Sequence, residues 1–446
     1  MNLLLLAVAV RAWSGSALSV FLRLMAAIAL FSVEMQLATW SSFLTIDTLL
    51  GVNVVAAAAG LWLTRRSPHG RPALLPPPVA LAALALLVAA LAIALPVTAA
   101  DPYHLQRVDR ILDTGTLAYD AGAPDLKVNV MAGVYELMLA DLRVPGMQAP
   151  MLRLHGLLGL GFYLLAIAAV QTWLPLKRRW TLVGFLVVPV VFHQLVLVKN
   201  DLFGALPAYV ALAWVVVRGR DSTLAEVGAA AALAGFAAGL KVPSTPVACV
   251  VALFVCVDHR ADWRALATLV IAGIIGAAAG GLLFALVENT RYYGGPLEPY
   301  VSLGNRNVTA GEVATGLVRF AISLFDLGRI TPRLWPGRGG WGSTLGLPLI
   351  WALAVLALRC NRPVVARALL AAAISFGLFA ATYPDADIAH RMVIAPGLLL
   401  IAVAVANVDE DDKTARRLRA ALVPVIALSA LQIARSAMLY LQQPPG

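Results

Sequence analysis

Long apolar runs separated by short polar breaks are the dominant pattern of this chain. The runs are about 16 to 24 residues long, close to the roughly 20 residues that a helix needs to cross the ~30 Å hydrocarbon core of a bilayer. Hydrophobic residues make up 61% of the sequence and charged residues only 13%, which fits the same interpretation. The pattern predicts an all-α polytopic membrane protein with about thirteen transmembrane helices, at 14–36, 43–63, 77–98, 151–175, 180–198, 202–217, 224–240, 243–258, 264–287, 344–358, 364–382, 391–407 and 417–440.

The distribution of basic residues predicts how these helices are oriented. Lys and Arg cluster in alternate short loops, for example at 65–71, 177–179 and 359–367. The positive-inside rule places those loops in the cytoplasm. Because this topology explains the net charge of +10, we expect no nucleic-acid partner. We expect a cell inner (plasma) membrane protein that functions on the opposite side, facing the periplasm or exterior, where the long loops 99–150 and 288–343 lie.

The polar breaks also predict a domain organisation. A basic, turn-rich stretch ends an N-terminal pair of transmembrane helices, 1–75. A membrane core at 76–407 follows, and a cytoplasmic loop with the last transmembrane helix occupies 408–446. In the first outer loop, apolar positions of 105–112 recur with helical spacing, which predicts an amphipathic interface helix with Arg107 on its polar face. Further loop helices are expected near residues 128 to 142 and 312 to 327.

Asp101 stands where a long apolar span gives way to the polar segment Asp101-Pro102-Tyr103-His104-Leu105-Gln106-Arg107. One interpretation is structural, with Asp as N-cap and Pro at the first position of the interface helix. The other is chemical, because a carboxylate at the membrane surface can act as a base on an acceptor hydroxyl while a sugar-phosphate bond breaks. The two roles are compatible.

Other polar residues lie on the same predicted outer side. Asn200 and Asp201 stand at a hairpin tip, where they either cap the next helix or orient an acceptor. Lys241, Arg391 and the weaker candidate Arg291 either snorkel to the interface or contact the phosphate of a lipid carrier. Carboxylate oxygens suit a divalent cation such as Mg²⁺ or Mn²⁺, but two isolated acids do not specify one. No histidine spacing supports zinc.

The order of these motifs resembles that of the GT-C glycosyltransferases, in particular the bacterial members related to the protein-mannosyltransferase and lipid A aminoarabinose transferase group. Residues 101–108 are similar to the family's first-loop pattern, an Asp followed by Tyr-His-Leu-Pro-Arg-Val, although Gln106 replaces Pro and Asp101 lacks an adjacent second acid. The further similar segments are 134–139, the acidic position at 200–202, the Gly-x-x-x-Gly-Leu-x-Lys stretch at 235–241, the Gly/Pro turn at 293–299 and 390–393.

The resemblance implies a GT-C-like catalytic core that moves a sugar from a polyprenyl-phosphate-linked donor to an envelope glycan, lipid or protein, in contact with membrane lipids. Asp101 would be the base and Asp201 the second acid. The implied substrate-binding residues are Tyr103, His104, Arg107, Asn200, Lys241, Arg291 and Arg391. The alternative is a transporter or flippase of lipid-linked sugars, although ionisable residues are rare at the mid-span depth where translocation paths require them. An assembly protein without catalysis would leave both acids as caps.

Overall fold

The computed structural model describes residues 1–12, 15–41, 44–63, 78–94, 102–120, 122–123, 128–129, 133–142, 155–174, 179–196, 199–298, 309–323, 344–382, 391–409 and 412–441. These residues are all-helical and include no β-strand. In chain order, their α-helices are α1 Asn2–Ala9, α2 Ala17–Ser41, α3 Thr48–Leu63, α4 Pro78–Ala94, α5 Pro102–Thr114, α6 Val134–Asp141, α7 His155–Val170, α8 Val183–Leu186, α9 Pro189–Val196, α10 Asp201–Arg218, α11 Leu224–Leu240, α12 Thr245–Asp258, α13 Trp263–Ala279, α14 Leu282–Tyr293, α15 Ala310–Ser323, α16 Gly346–Ala357, α17 Pro363–Thr382, α18 Ile394–Val408 and α19 Lys413–Leu441.

The length and composition of these helices fit a membrane-embedded protein. Within the described residues, four helical stretches are long and apolar enough to cross a bilayer: Ala17–Ser41, Asp201–Asp221, Pro363–Ala381 and Lys413–Arg435. Seven shorter apolar helices of 10–17 residues accompany them. Large apolar side chains on α13, among them Ile271 and Ile274, are 60% and 65% exposed, which suits contact with lipid rather than water. The larger number of spans stays a prediction.

Helix α10 is the centre of the bundle. Every residue from Asp201 to Val216 is buried, and α7, α11, α12, α17 and α18 pack around this helix. A helix that is apolar on all sides and surrounded by other helices has no polar face to present to solvent. The polar residues at its first turn are therefore enclosed by protein.

Two predicted spans are not continuous helices. The stretch predicted at 180–198 is a 3-10 turn followed by the short helices α8 and α9, and the break falls just before Pro189, whose ring removes a backbone donor. The stretch predicted at 264–287 breaks at Gly280-Gly281, and α13 and α14 meet there at 58°. Gly281 has a φ of +93°, a conformation that side chains with a Cβ rarely adopt.

The helices of the first outer segment differ from the predicted amphipathic pattern. Helix α5 begins at Pro102, as expected for proline at a first helical position. Arg107, however, is only 2% exposed and faces inward with Val108 and Ile111, so its predicted place on a polar face is wrong. Helix α6 is shorter than the expected 128–142, and all eight of its residues are buried rather than amphipathic. In the second outer segment, where a helix was expected near 312 to 327, α15 covers Ala310–Ser323, and residues 324–327 lie outside the described part of the chain.

Glycines allow α11 and α13 to pack backbone against backbone. A methyl group placed on Gly235 would overlap the carbonyl oxygen of Gly273, and one on Gly276 would overlap that of Ala232. Gly239 is equally close to the backbone of α13. Small residues four apart permit this close approach between helices in membranes. The glycine motif thus has a packing role between α11 and α13.

The N-terminal helices are packed against the rest of the bundle. Helix α2 contacts α7 and α13, and the amide of Gln36 donates a hydrogen bond of 3.2 Å to the carbonyl oxygen of Ala278. The indole of Trp40 donates to Glu288 at 3.2 Å. These contacts join α2 to the core helices, while the predicted division at residue 75 stays a prediction.

An arginine ties several helices together at the opposite end of α10. Arg367 of α17 donates to the carbonyl oxygens of Val215 and Val216 at 2.7 and 3.0 Å. Its guanidinium also pairs with Asp258, at the end of α12, with an Nη2 to Oδ2 distance of 2.5 Å. A cation at a helix C-terminus satisfies carbonyls that have no intrahelical partner. This contact holds the end of α10 that lies far from Asp201.

Candidate functional site

Asp201 is the centre of a buried polar cluster at the N-terminal end of α10. Its side chain is only 2% exposed. The amide of Gln194, on α9, donates a hydrogen bond of 3.0 Å to Asp201 Oδ2. The ammonium of Lys241 contacts Asp201 Oδ1, and Arg391 Nη1 lies 3.8 Å from Oδ2. The structure therefore brings together three ionisable residues that are far apart in the sequence.

The close pairing of α11 and α13 ends next to Lys241. Lys241 follows the last residue of α11, and its Nζ donates to Asn200 Oδ1 at 2.7 Å. Gly204, one turn into α10, makes room for the lysine, because an added Cβ there would lie 3.2 Å from Lys241 Cβ. Asn200 and Asp201 together hold the ammonium at the start of α10.

Two structural interpretations weighed from the sequence fit this arrangement poorly. Asn200 is the N-cap residue of α10, but its side chain makes no capping hydrogen bond and accepts from Lys241 instead. Lys241 is only 7% exposed and its ammonium contacts a carboxylate and an amide, whereas a snorkelling lysine holds its charge in water. The N-terminus of α10 still favours the negative charge of Asp201 through the helix dipole.

Two cations and one carboxylate meet in this cluster. Asp201 faces both Lys241 and Arg391. Arg391 is the most accessible of the three, with 24% of its side chain exposed.

A second buried pair joins α5 to α6. His104 is 1% exposed and Glu136 is 5% exposed, and His104 Nδ1 contacts Glu136 Oε1. An ionised carboxylate only accepts hydrogen bonds, so Nδ1 is the donor. Burial raises the pKa of Glu136, but the hydrogen bond and charge of His104, together with the charge of Arg107, outweigh it and leave the pKa below its ordinary value. Glu136 is therefore a buried carboxylate held in its charged form.

Arg107 supports this pair from one turn further along α5. Its guanidinium donates to the carbonyl oxygens of Leu117 and Ala118, at 2.5 and 3.0 Å, and lies 5.4 Å from the centre of the Tyr119 ring. Gly133, with a φ of +77°, precedes α6, and a Cβ there would lie 2.9 Å from Arg107 Nε. Arg107 is thus a buried structural cation beside Glu136, and burial lowers the pKa of its guanidinium.

Aromatic rings connect the two polar clusters. Tyr135, the neighbour of Glu136, packs its ring 6.0 Å from that of Phe203, which is two residues after Asp201. The other side of Tyr135 meets the imidazole of His104 edge-on at 5.7 Å. Helix α6 therefore touches both the first turn of α5 and the first turn of α10.

The remaining candidates occupy different positions. Asp101 lies outside the described residues, immediately before Pro102. Tyr103 is half-buried, with its ring 4.1 Å from that of His104. Arg291 is exposed on the last turn of α14, 5.8 Å from the Tyr292 ring, and has no ion pair with Asp201 or Glu136. It belongs to neither cluster.

Sequence reasoning did not single out Glu136 and Gln194. Glu136 is a charged residue inside the short apolar stretch Val134–Ala140, and Gln194 is a polar residue inside the apolar run that was predicted as one span. A single polar residue in such a run points to a buried hydrogen-bonding role, because an unpaired polar group is costly there. That signal was present at both positions.

The residues around Asp201 do not fit a divalent cation well. Mg²⁺ and Mn²⁺ prefer several oxygen ligands, usually with more than one negative charge. Asp201 is instead neighboured by Lys241 and Arg391, which would repel a metal ion. In the part of the chain that the structure describes, no three His, Cys, Asp or Glu side chains come together as a metal site.

Comparison with protein-family models, with curated proteins and with solved structures finds no match to this chain.

Proposed function

We propose that this protein is a GT-C-type membrane glycosyltransferase that moves a sugar from a polyprenyl-phosphate donor to an envelope acceptor on the outer face of the membrane. The observation that carries the proposal is the convergence of Asp201, Lys241 and Arg391 at one end of a helical membrane bundle. A carboxylate beside two cations offers both a contact for an acceptor hydroxyl and a contact for a phosphate.

The charges of the cluster favour a phosphodiester donor. A polyprenyl-phosphate sugar carries one negative charge, which a nearby guanidinium or ammonium attracts. Negative charge grows on the phosphate as the sugar leaves, and nearby cations stabilise that change in the transition state. Arg391 has the accessible guanidinium for this contact, while Lys241 is held against Asp201 and Asn200.

Asp101 and Asp201 have different roles in the proposed reaction. Asp101 accepts the proton of the attacking acceptor hydroxyl, and Asp201 orients that acceptor. The oxygen of the acceptor bonds to the anomeric carbon of the sugar as the carbon-oxygen bond to phosphate breaks. The electron pair of the broken bond stays on the polyprenyl phosphate.

A mass-spectrometric comparison of envelope glycans from cells with and without the intact protein tests the proposal. We expect a sugar-sized mass difference in one glycan class and its return when the wild-type protein is restored. Asp201→Asn should not restore it. Asp262→Asn is the matched control, because Asp262 only caps α13 and Asn caps equally well. Identical glycans with and without the protein would contradict transferase activity.

The same deletion strain distinguishes a transferase from the alternative, a transporter or flippase of lipid-linked sugars. If the protein is a flippase, its removal would leave lipid-linked sugars in the inner leaflet. Every glycan that receives those sugars would then lack them. An enzyme that consumes the donor on the outer face would leave that donor to accumulate there. Labelling of outer-leaflet lipid-linked sugars in the deleted strain distinguishes the two results.

The thirteen-span topology and the core at 76–407 belong to the same proposal. Thiol labelling with an impermeant reagent tests the orientation after Cys249, Cys256 and Cys360 are replaced by Ala. A cysteine at Arg291 should react in intact cells, and one at Arg260 should react only after permeabilisation. The reverse result would place the Asp201 cluster on the cytoplasmic side and contradict the proposed reaction.

A further inference from the structure

Gln194 contacts one oxygen of the Asp201 carboxylate. Its amide lies 3.0 Å from Asp201 Oδ2, and because an ionised carboxylate only accepts hydrogen bonds, the nitrogen of the amide faces that oxygen. Lys241 contacts the other oxygen, Oδ1. Each carboxylate oxygen therefore has its own partner, which opposes rotation of the carboxylate.

The backbone that carries Gln194 is itself fixed. Every residue of α9 is buried, and the amide of Val190 donates a hydrogen bond of 2.8 Å to the carbonyl oxygen of Thr344. A methyl group placed on Gly156 of α7 would overlap the carbonyl oxygen of Leu195, so α7 and α9 touch through their backbones immediately beside Gln194. A side chain that is locked by burial and hydrogen bonds holds its partner rigidly.

A guanidinium lies just outside hydrogen-bond distance of the same carboxylate oxygen. Arg391 Nη1 is 3.8 Å from Asp201 Oδ2, whereas a guanidinium that pairs with a carboxylate has a nitrogen to oxygen distance of about 2.7 to 2.9 Å. A relative shift of about 1 Å would therefore convert this approach into a close ion pair. Gln194 is neutral, so it occupies Oδ2 without repelling Arg391, and its hydrogen bond opposes the shift.

We propose that Gln194 is a positioning residue that holds Asp201 away from a close ion pair with Arg391 and so keeps that guanidinium able to bind the donor phosphate. This inference rests on the proposed function, in which Arg391 contacts the phosphate. A guanidinium in a close pair with a carboxylate has fewer N–H groups to offer a phosphate, and its charge is already balanced. Loss of Gln194 should therefore weaken binding of a polyprenyl phosphate, although Gln194 itself does not touch that ligand.

Binding of geranyl phosphate, a short polyprenyl phosphate, to the purified full-length protein tests this proposal by isothermal titration calorimetry in detergent. Gln194→Met keeps the length of the side chain but removes the donor. We expect the dissociation constant to rise about 10-fold, the effect of losing one hydrogen bond between charged groups. Gln171→Met is the matched control and should bind as the wild type does, because Gln171 lines a cavity beside Tyr209, two turns along α10 from Asp201.

Substitutions at the two partners separate positioning from general damage. If Gln194 acts by restraining the carboxylate, its loss matters only while that carboxylate is charged. We expect the double variant Asp201→Asn with Gln194→Met to bind geranyl phosphate within about twofold of Asp201→Asn alone. Arg391→Ala should bind weakly, and the addition of Gln194→Met should lower its affinity no further, because the guanidinium on which Gln194 acts is already gone.

The outcomes are distinct. Wild-type affinity in Gln194→Met overturns this inference and leaves the proposed function standing. A loss of affinity that persists in the Asp201→Asn background also overturns it, because Gln194 would then act independently of the carboxylate. If Gln194→Met does not fold, Gln194→Asn takes its place, since the shorter amide moves the donor away from Oδ2. A wild-type protein that does not bind geranyl phosphate counts against the donor class of the proposed function, and this inference falls with it.

Discussion

Removal of Lys241 should destabilise the protein strongly, because it leaves Asp201 buried with an incomplete set of partners. The Asp201 side chain is 2% exposed, and breaking a buried pair by removing one partner typically costs about 3 to 5 kcal/mol. Arg391 remains 3.8 Å away, and at an effective dielectric constant of about 20 its attraction for Asp201 is about 4 kcal/mol before desolvation is counted. We therefore expect the lower end of the range, about 3 kcal/mol, for Lys241→Met.

A double-mutant cycle isolates the contribution of this pair. Asp201→Asn removes the charge that Lys241 balances, so the double variant should lose less stability than the two single losses together. We expect a coupling energy of about 2 kcal/mol, measured by reversible unfolding in detergent micelles. Arg218 and Glu226 form the reference pair, with Nε 3.4 Å from Oε1 and both side chains partly exposed, where a coupling of about 0 to 1 kcal/mol is usual. Equal coupling in the two pairs would refute the buried ion pair.

Three further predictions concern packing, helix ends and acid. Gly276→Leu should cost about 3 kcal/mol in the unfolding assay, because its side chain would meet the backbone at Ala232. Arg367→Ala should also cost about 3 kcal/mol, since it leaves the nearly buried Asp258 unpaired, and Arg367→Lys should recover only part of the loss. The lowered pKa of Glu136 contributes stability that is complete above about pH 4.5 and is lost as the pH falls through that lowered pKa. Unfolding of wild type and Glu136→Gln between pH 3 and 6 should therefore converge at the acid end.

Each of these predictions has a control and a contrary outcome. Gly377→Leu is the reference for packing, because no neighbouring atom lies within 4 Å of an added Cβ there. Arg417→Ala is the reference for charge removal, since Arg417 is exposed on α19. Losses no larger than those of the references would contradict the packing and ion-pair arguments. A constant gap between wild type and Glu136→Gln across the acid range would contradict the lowered pKa.

The sequence predicts helices best where an apolar run has a clear start and stop. The span predicted at 224–240 coincides with α11, because a Thr223 and Glu226 capping box begins it and Pro243 prevents it from continuing. Helix α10 extends one residue beyond each end of the span predicted at 202–217. Where a helix-breaking residue lies inside an apolar run, as at Pro189 and Gly280-Gly281, the length of the run predicts one helix although the structure has two. The membrane requires apolar residues on both sides of such a break, so hydropathy does not reveal it.

The sequence predicted that these residues lie at one end of the bundle but not how they pair. Alternating loop charge is the reason that Asp201, Lys241 and Arg391 were expected at one end, and the structure brings these three side chains together. The pairing of Lys241 with Asn200 and Asp201 depends on the side-by-side packing of α10 and α11, which periodicity does not specify. Burial of Arg107 was missed because a buried arginine and an exposed one look the same in a helical pattern.

The backbone contact between α11 and α13 also limits how the site can move. Helices that touch through side chains can slide as rotamers change, but helices that touch through backbone atoms have nothing between them to repack. Lys241, at the end of α11, must therefore travel with α13 as one rigid unit. A change in the distance between the Cα atoms of Lys241 and Asp201 therefore requires α10 to shift against that whole unit. That backbone distance reports on movement between helices, whereas the ammonium can leave the carboxylate by a rotamer change of the lysine alone.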